Sequence, residues 1–342
     1  MKVTINDIAR AANVAKSTVS KVLNDAPTIP EETKRRVRAI MKELNYTPSS
    51  IATQLARQSS FAIGFIMDVD HKDDFLNPFV YSMVGGAESV VCKQGYEMTI
   101  SNVSSRDDDD FIARYVQSKK LDGMLLHTTV LTKRRAEQLN ELNFPYVVVG
   151  QPKEDVDVTF VDIDNHLGGR MAASHLLEQG YGRIAFIGGV PGEAISHNRL
   201  LGYRSVMESL NASNDDLYVR LGSADEESGR RHMLALLELP EPPDAVICVN
   251  NYVAFGALQA ASERKLSIPR DLGIVAFDNY PLAPFTTPSL TAIDNDTFDL
   301  GVLASRVLFE KIGQAPVQSS YKLEPRLISR DSTRRQDARQ PE

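Results

Sequence analysis

The chain is poor in cysteine, has no long hydrophobic run and carries no catalytic signature. Its 342 residues include 2 cysteines, Cys92 and Cys248. Their wide separation excludes a disulfide framework and a CxxC metal knuckle. Both sit among apolar neighbours and read as buried free thiols. No apolar run reaches the roughly 18 residues of a membrane-spanning helix. The opening Met1-Lys2-Val3-Thr4-Ile5-Asn6-Asp7 has no signal-peptide core, so a cytoplasmic protein is expected. GxSxG and HExxH motifs are absent. Gly188-Gly189-Val190-Pro191-Gly192 is glycine-rich but lacks the GxGxxG spacing of a dinucleotide loop. Asp107 to Asp110 read as a solvated helix start, and Asp73-Asp74 beside His71 as a polar loop. No enzyme, cofactor or metal is expected.

Charge is what the chain does distribute unevenly. Overall it holds 38 Lys/Arg and 45 Asp/Glu, a net charge of −7. Residues 1–60 hold 10 basic and 5 acidic side chains, leaving 28 and 40 for the remaining 282. A basic head on an acidic body points to one small module with an anionic partner and a body with another task.

The head shows only helical periodicity. Thr4-Ile5-Asn6-Asp7 has the form of a capped helix start. Ile5, Ile8, Ala9 and Ala12 then mark one face. Asn13-Val14-Ala15 breaks the helix, since Asn tolerates a left-handed turn. A second helix places Val19, Val22 and Leu23 inward and ends at Asn24-Asp25-Ala26-Pro27. A third runs from about Pro30 to Leu44, with Val37, Ile40, Met41 and Leu44 inward. Two short helices joined by a tight turn and braced by a third make a helix-turn-helix unit. Its second helix presents Lys16, Ser17, Thr18, Ser20 and Lys21, donors suited to base edges and phosphates. A three-helix bundle with a solvated polar face has the same pattern.

From Phe61 onward, short buried strands alternate with amphipathic helices. Strands are read at 61–67, 96–100, 123–127, 146–150, 184–187, 245–249 and 273–277. Helices are read near 78–94, 107–119, 133–142, 166–179, 198–210, 226–238 and 251–265. This alternation means βαβ units and parallel sheets. About 270 residues suit two doubly wound subdomains with a cleft between them. No element is assigned between Phe277 and the tail. The expected organisation is an all-α head (1–45), a hinge (46–60), an α/β body of two parallel-sheet subdomains (61–330) and a disordered tail (331–342).

Thr4-Ile5-x-Asp7-Ile8-Ala9-x-x-Ala12-x-Val14 followed by Thr18-Val19-Ser20-Lys21-Val22-Leu23-Asn24 resembles the lactose-repressor/galactose-repressor family of bacterial transcription regulators. Leu44-Asn45-Tyr46-x-Pro48 resembles that family's junction between head and hinge. Asn13 stands for the usual turn Gly, Ala15 for the usual capping Ser, and Lys21 for the usual Arg, which gives up a bidentate fork. The resemblance implies base reading by Lys16, Ser17 and Lys21, with phosphate contacts from Thr4, Thr18, Ser20 and Asn24. Lys34, Arg35, Arg36 and Arg57 read mostly as solvated. It implies a hinge helix over Ser49 to Ala56, with Ala52 and Leu55 entering the minor groove. Ser49 and Thr53 depart from the family's usual Asn and Arg there.

In open parallel sheets, ligands bind beyond the carboxyl ends of the strands. The effector candidates are Phe75, Phe79, His127, Asp162, Arg199, Asn250 and Asp278. By resemblance, Arg199, Asn250 and Asp278 match the family's most regular contacts. An Arg fork, an amide and a carboxylate suit vicinal sugar hydroxyls. Phe75 and Phe79 offer an apolar wall. Ordinary roles stay open: a turn cap for Asp278, a strand-end bond for Asn250, a surface ion pair for Arg199. Gly150-Gln151-Pro152-Lys153-Glu154 and Val161-Asp162-Ile163-Asp164-Asn165 resemble the maltose and maltodextrin branch. The expected partners are palindromic operator DNA, a small sugar effector and a second copy of the chain. The tail has no leucine heptad to support a tetramer. An enzyme, a transport-type binding protein and a regulator responding to a different ligand, such as another sugar, a sugar phosphate or a purine, are the rival readings.

Overall fold

The computed structural model describes residues 3–47, 54, 59–68, 78–103, 110–209, 216–279 and 281–335. The head consists of α1 (Ile5–Ala11), α2 (Lys16–Leu23) and α3 (Glu31–Glu43). The Thr4 backbone N–H and hydroxyl both donate to the Asp7 carboxylate, at 3.0 and 2.7 Å. Asn13 adopts φ 50°, as the turn requires. Ala15 caps α2 without a side-chain bond. Ile8, Ala9, Ala12, Val19, Val22 and Val37 form the core. Leu44, expected inside, is exposed. So small a core is marginal alone. Buried Lys34 braces it, with its Nζ 3.1 Å from Asp25 and 2.9 Å from Glu31.

Among the described residues the body has two six-stranded sheets. The first contains β1 (Ala62–Met67), β2 (Glu97–Asn102), β3 (Gly123–His127), β4 (Tyr146–Val149), β5 (Phe160–Ile163) and β11 (Ser320–Leu323), in the order β11-β5-β4-β3-β1-β2. The second contains β6 (Ile184–Gly188), β7 (Val219–Leu221), β8 (Ala245–Cys248), β9 (Gly273–Phe277), β10 (Thr291–Asp294) and β12 (Arg326–Ile328), in the order β12-β10-β9-β8-β6-β7. Every described pairing is parallel except β10 with β12. Strands β4, β6, β8 and β9 are buried along their whole length. That is why they read as unbroken apolar runs.

Helices cover the sheets: α4 (Pro78–Val91), α5 (Lys133–Glu141), α6 (Asn165–Glu178), α7 (Ala194–Ser209), α8 (Glu226–Leu237), α9 (Asn251–Glu263) and α10 (Thr297–Ile312). A π-helical turn occupies Ala113–Gln117, within the helix expected there. The subdomains are interleaved. After β10 the chain returns to the first subdomain, where α10 packs on α4 and β11 joins the sheet edge. It then crosses again to place β12 in the second sheet.

The unassigned region after Phe277 therefore holds β10, α10, β11 and β12. These strands have only three or four residues, too few to show a period. The buried stripe of α10 includes Gly301, Ala304 and Ser305, which weaken its apolar contrast. The body also extends beyond residue 330. Ser332 and Thr333 are fully buried. Ser332 Oγ donates to the Ile274 carbonyl at 2.6 Å, and Thr333 Oγ1 bonds His175 Nε2 at 2.8 Å. Hydroxyls that complete backbone and imidazole partners hold this segment, although it looks polar. The tail expected at 331–342 thus begins no earlier than 336, where the described residues end. Cys248 is buried, but Cys92 is exposed on the turn that ends α4.

Close helix crossings set the position of the cleft residues. A Cβ at Gly169 of α6 would lie 2.0 Å from the Arg199 carbonyl oxygen, and one at Gly202 of α7 would lie 2.0 Å from that of His166. No real side chain tolerates such contacts with backbone. Gly169→Ala is expected to destabilise the body by about 2–3 kcal/mol, the upper part of the overpacking range. Gly182→Ala, which meets nothing within 4 Å, is expected to leave stability unchanged, and urea titration of both variants checks the difference.

Candidate functional site

Two surfaces gather the candidate side chains. On the head, α2 exposes Lys16, Ser17 and Lys21, with Thr18, Ser20 and Asn24 half-buried beside them. Val19 and Val22 anchor the opposite face in the core. The helix thus offers a row of donors on one side and apolar anchors on the other. Thr4 closes the capping box that opens α1. Its hydroxyl proton is committed to Asp7, so the side chain serves as a helix cap. Lys34 is buried and paired with Asp25 and Glu31. Arg35 and Arg36 are exposed. Ala52, Leu55, Arg57 and the hinge helix around them, like Phe75, lie outside the described residues.

A cavity of about 490 Å³ opens between the two sheets, within the roughly 300–1,000 Å³ typical of small-molecule sites. It lies past the carboxyl ends of the strands. The predicted residues Phe79, His127, Asp162, Arg199, Asn250 and Asp278 all line it.

Arg199 is the centre of the polar wall and is buried. Its Nε donates to Asn165 Oδ1 at 2.9 Å. One terminal nitrogen donates to the Val249 carbonyl, and the other lies 3.4 Å from Asp278 Oδ1. The guanidinium stacks 4.1 Å from the centre of the Phe277 ring. Three of its five N–H donors are thereby engaged. Asp278 sits at φ 70° and also accepts from Asn295 Nδ2 at 2.6 Å. Burial raises the Asp278 pKa against the pull of Arg199, and burial lowers that of Arg199. A pair at 3.4 Å is only loosely satisfied, so both partners keep capacity for a ligand.

Asn250 behaves differently. Its Oδ1 accepts from Val253 N–H at 2.9 Å, capping α9, and its Nδ2 donates to the Ala224 carbonyl at 2.8 Å. The strand-end role is therefore real, and Asn250 borders the cavity with much of its capacity used.

Across the cleft, burial pushes Asp162 up to about 6. His127 is pushed down to about 4 by burial and is neutral at pH 7. The Thr129 backbone N–H, which can only donate, lies 3.4 Å from His127 Nδ1. The Thr129 hydroxyl lies closer to the same nitrogen, at 2.8 Å. Asp68, Asp162, Glu193 and Asp278 give four acids on the described lining against a single cation, Arg199. Met67, Phe79, Val80, Met83, Val149 and Leu300 supply the apolar wall. Sequence reasoning missed Asn165, Glu193, Asn295 and Thr297. Asn165 lines the cavity and bonds Arg199, Asn295 bonds Asp278, and Thr297 belongs to the unassigned helix. Glu193 alone left a signal, an acid just past the glycine-rich turn after β6.

Residues 4–49 match the family described as bacterial regulatory proteins, lacI family, and residues 173–333 match a periplasmic binding protein-like domain. The chain is 32% identical over 335 residues to the ribose operon repressor of Halalkalibacterium halodurans, covering 97% of each. The chain belongs to the lacI family. Its curated relatives are transcriptional repressors, and it is a DNA-binding regulator rather than an enzyme. The HTH-type transcriptional repressor PurR of Actinobacillus pleuropneumoniae is 31% identical over 338 residues, covering 97% of this chain and 98% of that one. Among solved structures, the transcriptional regulator CelR-cellobiose complex covers 97% of this lacI-family chain and 100% of its own at 27% identity, with a TM-score of 0.71. The lac repressor dimer bound to operator and the anti-inducer ONPF shares the fold, with a TM-score of 0.80 at 23% identity over 97% of this chain and 99% of its own.

Removing one member of a buried ion pair strands the other. Arg199→Met is expected to destabilise the body by about 3–5 kcal/mol, read as a lowered Tm in a thermal scan. The double variant Arg199→Met/Asp278→Asn is expected to recover part of that loss.

Proposed function

We propose that the protein is a cytoplasmic, homodimeric repressor that binds a palindromic operator through α2 and is released or engaged by an uncharged sugar in the body cleft. Maltose or another α-glucoside is the first candidate. The observation that carries the ligand class is the charge of the cavity lining among the described residues: four acids and one cation, the cation already paired. Such a wall accepts and donates hydrogen bonds to vicinal hydroxyls. It also repels an anion, since like charges in a desolvated site cost several kcal/mol. A sugar phosphate is disfavoured on that ground. The sequence likeness around Gly150 and Asp162 supports maltose, as Asp162 itself faces the cavity. A two-fold dimer matches palindromic half-sites.

Titration calorimetry with maltose, maltotriose, glucose, galactose, glucose 6-phosphate and a purine base tests the ligand class. Operator release is then measured for any ligand that binds. A neutral sugar is expected to bind at least about tenfold tighter than its phosphate, a difference of about 1.4 kcal/mol. Binding of the phosphate or the purine alone would overturn the reading.

Acidity offers a second check. Only the ionised Asp162 is a charge-assisted acceptor, and its pKa stands at about 6. Sugar binding favours the ionised form, so affinity is expected to be flat above about pH 7 and to fall as pH drops through 6. His127, at about 4, stays neutral over that range. Asp162→Asn is expected to lose most of this slope in titrations at several pH values.

A further inference from the structure

A single carboxylate holds the point where the linker enters the body. Asp122 directly precedes β3. Its Oδ1 accepts from the Ser60 N–H at 2.8 Å and the Ser60 hydroxyl at 2.9 Å. Its Oδ2 accepts from the Phe61 N–H at 3.0 Å and from the Ser59 hydroxyl. Its own N–H donates to the Ala62 carbonyl at 2.9 Å. On the other side, Gln54 Nε2 donates to the Ser60 carbonyl at 2.9 Å. Three consecutive residues thus converge on one acid, with donors enough to fill its lone pairs.

The same joint touches the element that lines the ligand cavity. Phe61 turns out of the linker at φ 50°, a conformation uncommon for a bulky residue. Its ring lies 5.4 Å from that of Tyr96, which meets Phe309 edge-on at 5.1 Å. Phe309 belongs to the last turns of α10, whose first turn gives Thr297 and Leu300 to the cavity. Leu308 and Ile312 of the same helix lie 3.1 Å from where a Cβ on Gly123, the neighbour of Asp122, would sit. A helix of 16 residues spans about 24 Å. The ligand cavity and the linker joint therefore occupy opposite ends of one rigid element.

We propose that Asp122 is a positioning residue for operator binding: it fixes where the linker leaves the body, and so couples the head to the subdomain that the ligand touches. This rests on the operator-binding role proposed above. Without the clamp, residues 59–61 gain freedom that operator binding must then remove.

The test uses the full-length chain and a duplex enriched from random-sequence DNA by the wild-type protein. Asp122→Asn keeps one acceptor but turns an amide against the Phe61 N–H and the Ser59 hydroxyl. Its operator Kd is expected to rise about tenfold or more, with Tm and maltose titration as in wild type. Amide exchange at residues 59–61 is expected to quicken, and Asp122→Glu to recover part of the operator affinity. An operator Kd within about twofold of wild type in a folded Asp122→Asn chain would overturn the assignment. Should that variant fail to fold, Ser59→Ala/Ser60→Ala carries the same expectation and the same refutation. A wild-type protein that enriches no duplex would sink the operator-binding reading instead.

Discussion

The buried guanidinium of Arg199 is the constraint around which the body is arranged. A fully charged group in a low-dielectric site demands partners. It finds them on the ends of β8 and β9, at the N-terminus of α6, and in a ring stacked beneath it. Each partner sits at the carboxyl end of a strand or the first residue of the following helix. The parallel topology places those ends side by side. The close α6–α7 crossing, open only to glycine at residues 169 and 202, brings the carrier helix near enough for the fork to reach them. Packing and polarity are thus one problem here: the helix pair must approach closely for the charge to be satisfied.

Arg199 is held but not saturated, and the same holds for Asp278. That combination is what a binding site needs. The wall is positioned before a ligand arrives, so little ordering entropy remains to be lost. On the function proposed above, the surrounding acids would restrict the ligand by charge, and the apolar side from Phe79 to Leu300 would offer a surface for a sugar ring. Interleaving of the two subdomains adds a mechanical consequence. Because α10 begins at the cleft and ends beside Asp122, any ligand contact at Thr297 or Leu300 acts on the helix that also packs against the linker joint. Allostery requires two sites and an element biased by both. The fold supplies such an element without any long-range contact outside one subdomain.

Much of this was readable in the residues. The head's helices follow from apolar spacing and from Thr4, Asn13 and the acids opening α3. Seven of the body's strands, β1 to β4, β6, β8 and β9, announce themselves as short apolar runs, whereas β5 and β7, with four and three residues, go unassigned. His127, Asp162, Arg199, Asn250 and Asp278 were legible as strand-end or helix-start polar residues and Phe79 as an apolar wall, and they converge on one cavity. Other features were hidden for physical reasons. Lys34 and Arg36 look alike in sequence, yet one is buried between acids and the other is exposed. Asn165 and Asn295 matter through partners far along the chain. Ser332 and Thr333 seem to belong to a polar tail, but their hydroxyls satisfy buried groups on β9 and α6. The return of α10 to the first subdomain depends on tertiary packing against α4, which no local pattern encodes.

The central claim is that the polar cluster around Arg199 is the ligand anchor, and a crystal structure of the protein with maltose bound tests it most directly. The account predicts sugar hydroxyls within hydrogen-bond distance of Arg199 and Asp162, with a ring face against Phe79. A sugar bound outside the cavity, or inside it with the guanidinium untouched, would contradict the account.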